Sequence, residues 1–176
     1  EISNRFLQMF VDTMGEDGKI TAIELLTEAG HVCAFNTFGG VMQSNEWNAM
    51  IKPMFQNNDD WVHGIVAVVN AFGWGFWKID EFVPNQKLVL SVNSGYESNS
   101  YNNGTSEFPV SFLVTGGTAG IMNLNYTLDL PNVAPVTLDD ARYKSIHQHA
   151  DFYSATQSKC RAMGEAHDQF EAVTAK

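Results

Sequence analysis

The sequence predicts an α+β fold in which N-terminal helices precede an antiparallel sheet of hairpins packed on a long glycine-containing helix. Three observations carry this prediction. Apolar residues recur at helical spacing as far as residue 72, a segment rich in aromatic and β-branched residues follows, and another hairpin pattern closes the chain. The 176 residues are enough for one compact domain. We expect a single domain over 1–176, with a helical part at 1–58 and a core at 59–176.

Four helices are predicted in the first part of the chain, at 2–14, 21–35, 47–55 and 61–72. Gly15 is expected to end the first helix, and Thr21 with Glu24 to form a capping box in the second. The Gly39–Gly40 pair should break that second helix, and Gly73 should close the fourth.

The second part is predicted to contain two hairpins, at 75–92 and 153–174, separated by a long helix over 110–128. Leu88, Leu90 and Val92 alternate with other residues, which predicts a strand with one buried face. Ser106 is expected to cap the long helix, and Thr137 to start a short helix that ends near residue 147.

The charge balance excludes two classes of partner. Twenty acidic residues face ten Lys and Arg, so the formal net charge is −10, which repels nucleic acid phosphates and anionic membranes. No apolar stretch reaches the roughly 18 to 20 residues that a membrane helix needs. The two cysteines are far apart in sequence, and they are expected to be separate thiols in a cytoplasmic protein.

A glycine-rich run at 115–120 does not fit a nucleotide-binding loop. It lacks the Lys-Ser or Lys-Thr pair of a Walker loop and lies inside a helical pattern. Gly116 and Gly120 are four residues apart, so they share one helix face. There they would let another element, or a flat ligand, approach the backbone closely.

Titratable side chains near the C-terminus offer two further chemistries. His147 and His149 could chelate a metal ion with Cys160 or Asp168, although a solvated histidine pair is the favoured interpretation. Cys160 could also pair with His149 or His167 as a nucleophile, but no flanking pattern supports that pairing.

Aromatic residues are more frequent than a core of this size needs. They make up 12% of the chain and concentrate around the first hairpin. Core packing remains one explanation, and a pocket for an apolar or aromatic small molecule is the alternative.

Two segments carry a resemblance to a known family. The closing segment 158–170, SKCRAMGEAHDQF, resembles the final hairpin of the 4-vinyl-reductase-type, or hydrocarbon-binding, domain family. The segment 109–120, PVSFLVTGGTAG, resembles the glycine-rich helix of that family. The resemblance implies a fold related to the small subunits of the TRAPP complex and the binding of a small apolar molecule, often beside a structural zinc.

The zinc ligands that the resemblance implies fall on Ser111, Gln157, Cys160 and Asp168 of this chain. Because Ser and Gln are poor zinc ligands, we expect the zinc site of the family to be lost, with no other cofactor implied. Phe170 and Val173 are then expected to hold the closing hairpin by packing.

The leading hypothesis is a soluble domain that binds a small apolar or aromatic molecule between the sheet and the long helix, as a sensor or accessory protein. The residues predicted to contact the ligand are Trp74, Trp77, Tyr96, Glu97, Phe112, Gly116, Gly120, Met122 and Tyr126. Two alternatives stay open. One is an enzyme, such as a hydrolase acting on an aromatic or heterocyclic substrate, and the other is an interaction module that forms a homodimer through its N-terminal helices.

Overall fold

A computed structural model describes residues 2–101 and 104–174 of the chain. The elements in chain order are helix α1 (Ile2–Cys33), a π-type turn (Ala34–Phe38), helix α2 (Gly39–Met42), a π-type turn (Trp47–Ile51), a 3-10 turn (Lys52–Met54), helix α3 (Asp60–Ala71), strands β1 (Phe76–Val83) and β2 (Lys87–Asn93), a 3-10 turn (Ser98–Ser100), helix α4 (Phe112–Met122), a π-type turn (Asn123–Thr127), helices α5 (Leu130–Val133) and α6 (Asp140–His147), strand β3 (Tyr153–Lys159), a 3-10 turn (Arg161–Met163) and strand β4 (Asp168–Thr174). The predicted α+β class is confirmed.

Gly15 ends the first helical segment, as predicted. It adopts φ 65° and ψ −140°, which are not helical angles, so α1 consists of two helical segments that meet at a kink at this residue. The predicted capping box does not form, because the Thr21 hydroxyl donates to the Asp17 carbonyl inside the helix. Gly39 and Gly40 lie within α2 and extend the helical run instead of breaking it.

The sheet joins both predicted hairpins in the order β1-β2-β4-β3, with every pair antiparallel. Strand β2 is central, and it is buried on both faces, so the prediction of one buried face is wrong. Val89 lies between Glu81 and Glu171 of the neighbouring strands, and Lys87 Nζ bridges those two carboxylates. The side chain of Lys87 and its partners therefore shield the outer face of β2.

Two other predicted caps are replaced. Ser106 does not cap α4, because its hydroxyl donates to the Phe108 carbonyl and the helix begins only at Phe112. At α6 the cap is Asp139, whose carboxylate accepts from the Arg142 amide, and not Thr137.

The largest apolar cluster combines the end of the N-terminal helical run, α3, α4 and the sheet. Its largest fully buried side chains include Trp47, Trp61, Phe38 and Phe170. Phe170 is fully buried, as expected for an anchor of the closing hairpin, whereas Val173 is exposed, so its predicted anchoring role is wrong. In the part of the chain that the structure describes, no helix is both long and apolar enough to cross a membrane.

Helices α1 and α4 touch along a seam of three glycines. A Cβ atom on Gly116 would lie 1.9 Å from the Thr27 carbonyl oxygen, and one on Gly30 would lie 2.2 Å from the Leu113 carbonyl oxygen. A Cβ atom on Gly120 would meet the Ala34 Cβ at 2.5 Å. The face that Gly116 and Gly120 share therefore receives another helix and not a ligand.

Substitution at the seam gives the first testable prediction. We expect Gly116→Ala to lower the free energy of unfolding by at least about 2 kcal/mol, because the new methyl group meets backbone atoms that cannot rotate away. The matched control is Gly117→Ala, where a Cβ atom meets nothing within 4 Å. This control should raise stability by up to about 1 kcal/mol, since alanine favours the helix. Urea unfolding of both variants measures the difference, and equal stabilities would contradict the proposed seam.

Candidate ligand-binding site

A cavity of about 360 Å³ opens beside the glycine seam, between α1, α4 and the segment that connects α3 to β1. The residues that line it are Gly30, Cys33, Phe38, Gly73, Trp74, Trp77, Tyr96, Leu113, Val114 and Gly117. Aromatic rings and glycine backbone thus form much of the wall. Gly117 faces open space, because a Cβ atom at this position would have no neighbour within 4 Å.

Three residues of the predicted ligand set lie on this wall, namely Trp74, Trp77 and Tyr96. The other six lie elsewhere. Gly116 and Gly120 face α1, Phe112 packs with Leu7 in a separate small cluster, and Met122 is fully buried in the core.

Tyr126 and Glu97 are also outside the cavity wall. The Tyr126 hydroxyl donates to Asp59 Oδ1 at 2.6 Å, which ties the end of α4 to the start of α3. The wall residues from α1, Gly30 and Cys33, are not among the predicted contacts, because nothing local in the sequence indicates that α1 reaches the cavity. Gly117 could have been predicted as a wall residue, because it is the one glycine of the 115–120 run that lies off the helix face shared by Gly116 and Gly120.

The backbone of Trp77, whose indole is buried, is held by two hydrogen bonds with one side chain. The Asn70 side chain at the end of α3 accepts from the Trp77 amide at 2.7 Å and donates to the Trp77 carbonyl at 2.9 Å. This pair of hydrogen bonds copies a β-ladder pair at the edge of β1. The indole Nε1 of Trp77 is buried and has no hydrogen-bond partner among the described residues.

Trp74 sits on a short loop between two glycines with left-handed backbone, Gly73 at φ 76° and Gly75 at φ 134°. These angles favour glycine because a Cβ atom is strained there. The Trp74 ring packs 5.5 Å from the ring of Phe38, centroid to centroid. The loop therefore folds an aromatic side chain over the cavity.

Glu97 holds the start of α4, directly behind two wall residues. Its carboxylate accepts from the Leu113 amide at 3.2 Å and from the Val114 amide at 3.1 Å. These two amides are unpaired at the start of the helix, so Glu97 acts as a distant cap. Burial raises the pKa of Glu97 to about 7, and the two backbone hydrogen bonds oppose that rise.

Three of the four positions that the family resemblance assigns to zinc, Ser111, Gln157 and Asp168, come together in a hydrogen-bonded network, and Cys160 lies in a small apolar cluster. Gln157 accepts from the Ser111 amide at 3.0 Å and donates to Asp168 Oδ1 at 2.9 Å. Asp168 also accepts from the Arg161 amide and the Ser98 hydroxyl. Burial raises the pKa of the Cys160 thiol. Cys160 is the one strong zinc ligand among the four positions, because a hydroxyl and an amide bind zinc poorly and the Asp168 carboxylate already accepts three hydrogen bonds, so the set does not fit a zinc site.

His147 and His149 do not join Cys160 and Asp168. His147 Nε2 lies 3.5 Å from Glu28 Oε1, whereas His149 Nδ1 accepts from the Asp151 amide at 3.1 Å. Within the described residues, the three-ligand group that could hold a metal consists of Glu28, His31 and His147, whose ligand atoms lie within 4.8 Å of one another.

Hydrogen bonds around His31 oppose metal binding by that group. The Asn123 amide nitrogen donates both to the Tyr153 carbonyl and to His31 Nε2, each at 2.9 Å. We therefore assign the ring proton to His31 Nδ1, which donates to the Tyr143 hydroxyl at 2.7 Å, and this hydroxyl donates to Glu28 at 2.6 Å. A metal at Nδ1 would force a proton onto Nε2, against the Asn123 donor. Burial lowers the pKa of His31 to about 4, so the ring stays neutral.

The fold of this chain is similar to that of a solved protein structure. The chain is similar in structure to the phenol-responsive sensory domain of the transcription activator PoxR, solved with phenol. The TM-score is 0.59 at 11% identity, over 97% of this chain and 71% of that one. No protein-family model and no curated protein matches the chain, so membership of the 4-vinyl-reductase-type family stays a prediction.

The buried cap supplies a prediction about pH. The pKa of Glu97 is about 7 in the folded chain and 4.5 ordinarily, so the folded chain binds more protons between these values. Stability should therefore fall as pH rises through this window, by up to about 3 kcal/mol, relative to a Glu97→Gln variant that does not titrate. Chemical unfolding at pH 4.5, 6 and 8 measures the difference. The exposed Glu107→Gln variant controls for the lost charge, and a pH-independent difference between wild type and Glu97→Gln would contradict the prediction.

The network at the closing hairpin supplies another prediction. Asp168→Ala would leave three donors without an acceptor, so we expect a loss of about 2 to 4 kcal/mol in unfolding free energy. Ser158→Ala, at an exposed position on the same hairpin, should change stability little. Added zinc or a chelator should leave the melting temperature of the wild type unchanged. A zinc-dependent rise that Asp168→Ala abolishes would show that the site does take metal.

Proposed function

We propose that this chain binds one small, neutral aromatic molecule in the cavity beside α1 and α4, as a ligand sensor or an accessory binding domain. The observation that carries the proposal is the cavity itself, which combines a volume of about 360 Å³ with walls of Trp, Tyr and Phe rings. Ligand pockets in proteins are typically apolar and range from about 300 to 1,000 Å³. The size favours a molecule of one or two rings.

The wall chemistry supports a neutral ligand. None of the described residues that line the cavity carries a charge. A charged ligand would lose its hydration there without gaining an ion-pair partner, at a large free-energy cost. The Tyr96 hydroxyl stays protonated, because burial and then the nearby Glu97 charge raise its pKa.

The likeness of fold supports a phenol-like ligand. The fold is shared with a sensory domain that was solved with phenol, and this likeness agrees with a phenol-like ligand.

The structure gives the enzyme alternative little support. Cys160 is 2% exposed, and burial raises its pKa, so its thiol is protonated and hidden from substrate. His149, its predicted partner, accepts from the Asp151 amide. Nucleophilic catalysis by Cys160 and His149 is therefore disfavoured, both by the buried thiol and by the hydrogen bond that the imidazole already accepts.

Ligand titrations test the proposed function. Phenol should quench the fluorescence of the cavity tryptophans with saturation, whereas benzoate, a charged molecule of similar size, should not. Gly117→Val should weaken phenol binding at least about tenfold, or about 1.4 kcal/mol, because its side chain fills the open space. Gly40→Ala is the matched control, since it adds a Cβ atom to an exposed helical glycine with open space outside the cavity. Unsaturable quenching, or equal affinity in the two variants, would overturn the proposal.

A further inference from the structure

The residues that line the cavity divide into an exposed set and a buried set. Gly73 and Tyr96 are exposed and Trp74 is half-buried, whereas Phe38 and Trp77 are almost fully buried. The exposed residues mark the mouth of the cavity, and the buried ones mark its inner end. A ligand therefore enters past the loop that carries Trp74.

The loop at the mouth, residues 71–76, is closed at its base by one side chain. Asn70 forms hydrogen bonds with both the amide and the carbonyl of Trp77, so the two ends of this mouth loop are held together. Gly75 packs closely on the sheet, because a Cβ atom there would lie 3.0 Å from Val92 Cγ1. The base of the mouth loop is therefore firmly placed.

The tip of the mouth loop is held by fewer contacts. Gly73 has a left-handed φ of 76°, and a Cβ atom there would meet nothing within 4 Å. No hydrogen bond joins Trp74 to another residue that the structure describes. Packing alone holds its ring, which lies 5.5 Å from the Phe38 ring and 6.3 Å from the Phe72 ring, centroid to centroid.

We propose that the mouth loop is a lid that gates the cavity, with Gly73 as its hinge and the Trp74 ring as the part that closes the mouth. This inference rests on the proposed function, because a gate acts only where a ligand enters. The packing of Trp74 on Phe38 is the closed arrangement. Lids of this kind turn on a few residues at the ends of elements, while the rest of the fold stays in place.

Opening the lid breaks few contacts. The Trp74 ring leaves Phe38, and the described residues lose no hydrogen bond of Trp74 when it does so. Phe72, its neighbour on the mouth loop, is already 49% exposed, so the tip moves into solvent and not into the core. An open conformer of this kind is typically populated at about 0.1 to 10%. The association rate is then reduced in proportion to that population.

A gate and a simple wall contact predict different binding kinetics. A side chain that only contacts the bound ligand slows dissociation and leaves the association rate constant unchanged, as most interface contacts do. A gate slows both steps, because the ligand passes the closed loop on the way in and on the way out. The association rate constant is therefore the measurement that distinguishes the two roles.

Stopped-flow fluorescence of the full chain with phenol and with 2-naphthol measures both rate constants, and Trp77 remains in the cavity wall as a reporter. We expect Trp74→Ala to raise the association rate constant of phenol at least about tenfold, because the mouth then stays open. The increase should be larger for 2-naphthol, whose two rings need a wider opening. Trp74→Phe keeps a smaller ring, so its association rate constants should lie between those of the wild type and Trp74→Ala.

Phe76→Ala is the matched control. This side chain is an aromatic ring of the same mouth loop, but it is 64% exposed and lies outside the cavity wall. Its removal should change neither rate constant by more than about twofold, since it neither covers the mouth nor contacts the ligand.

The outcomes separate the lid from the function on which it rests. Saturable phenol quenching with wild-type association rate constants in Trp74→Ala and Trp74→Phe would overturn the lid and leave aromatic binding standing. Where Trp74→Ala does not fold, Trp74→Phe alone decides the test. An equal rise in Phe76→Ala would also overturn the lid, because the effect would not depend on the ring at the mouth. Unsaturable quenching of the wild type would overturn the proposed function and the lid together.

Discussion

The close contact between α1 and α4 is the constraint on which the rest of the structure depends. Gly30, Gly116 and Gly120 bring the two helix backbones together at distances that no Cβ atom would permit. Helix α4 also packs on β3 and β4, so its position links the N-terminal helix to the sheet. The cavity lies beside this seam, and Gly117 leaves open the space that a larger residue would fill. The contact between α1 and α4 thus leaves no room for a ligand, whereas the cavity beside it does.

Buried polar groups then fix the loops around that contact. Glu97 caps α4 from a distant loop, Asn70 clamps the start of β1, and Asn123 binds the backbone of Tyr153. Each of these side chains pairs with backbone groups that lack a partner in their own element. Because these hydrogen bonds satisfy polar groups that would otherwise be buried without a partner, the side chains stabilise the fold. At the closing hairpin Gln157 and Asp168 perform the same task with hydrogen bonds.

Sequence patterns predicted the elements whose signals are local. Both hairpins and α3 follow from strand alternation, helical periodicity and turn residues, and these signals lie within a few positions of one another. The cap of α4 could not be predicted in this way. Glu97 is 16 residues from Leu113 in sequence, so no pattern within a few positions links the two residues. In the cavity, Trp74, Trp77 and Tyr96 were found because they are aromatic and lie near the hairpin.

The sequence by itself determined the α+β class, the two hairpins and an excess of aromatic residues, because composition and periodicity are properties of the chain alone. Only the tertiary structure decided which face of α4 meets α1 and which borders the cavity. Gly116 and Gly117 are neighbours in sequence and the same residue type, yet a Cβ atom on Gly116 would lie 1.9 Å from a backbone oxygen and one on Gly117 would meet nothing within 4 Å. That difference depends on where a helix nearly ninety residues away lies, because the glycine spacing separates the two faces of α4 but does not say which of them meets that helix.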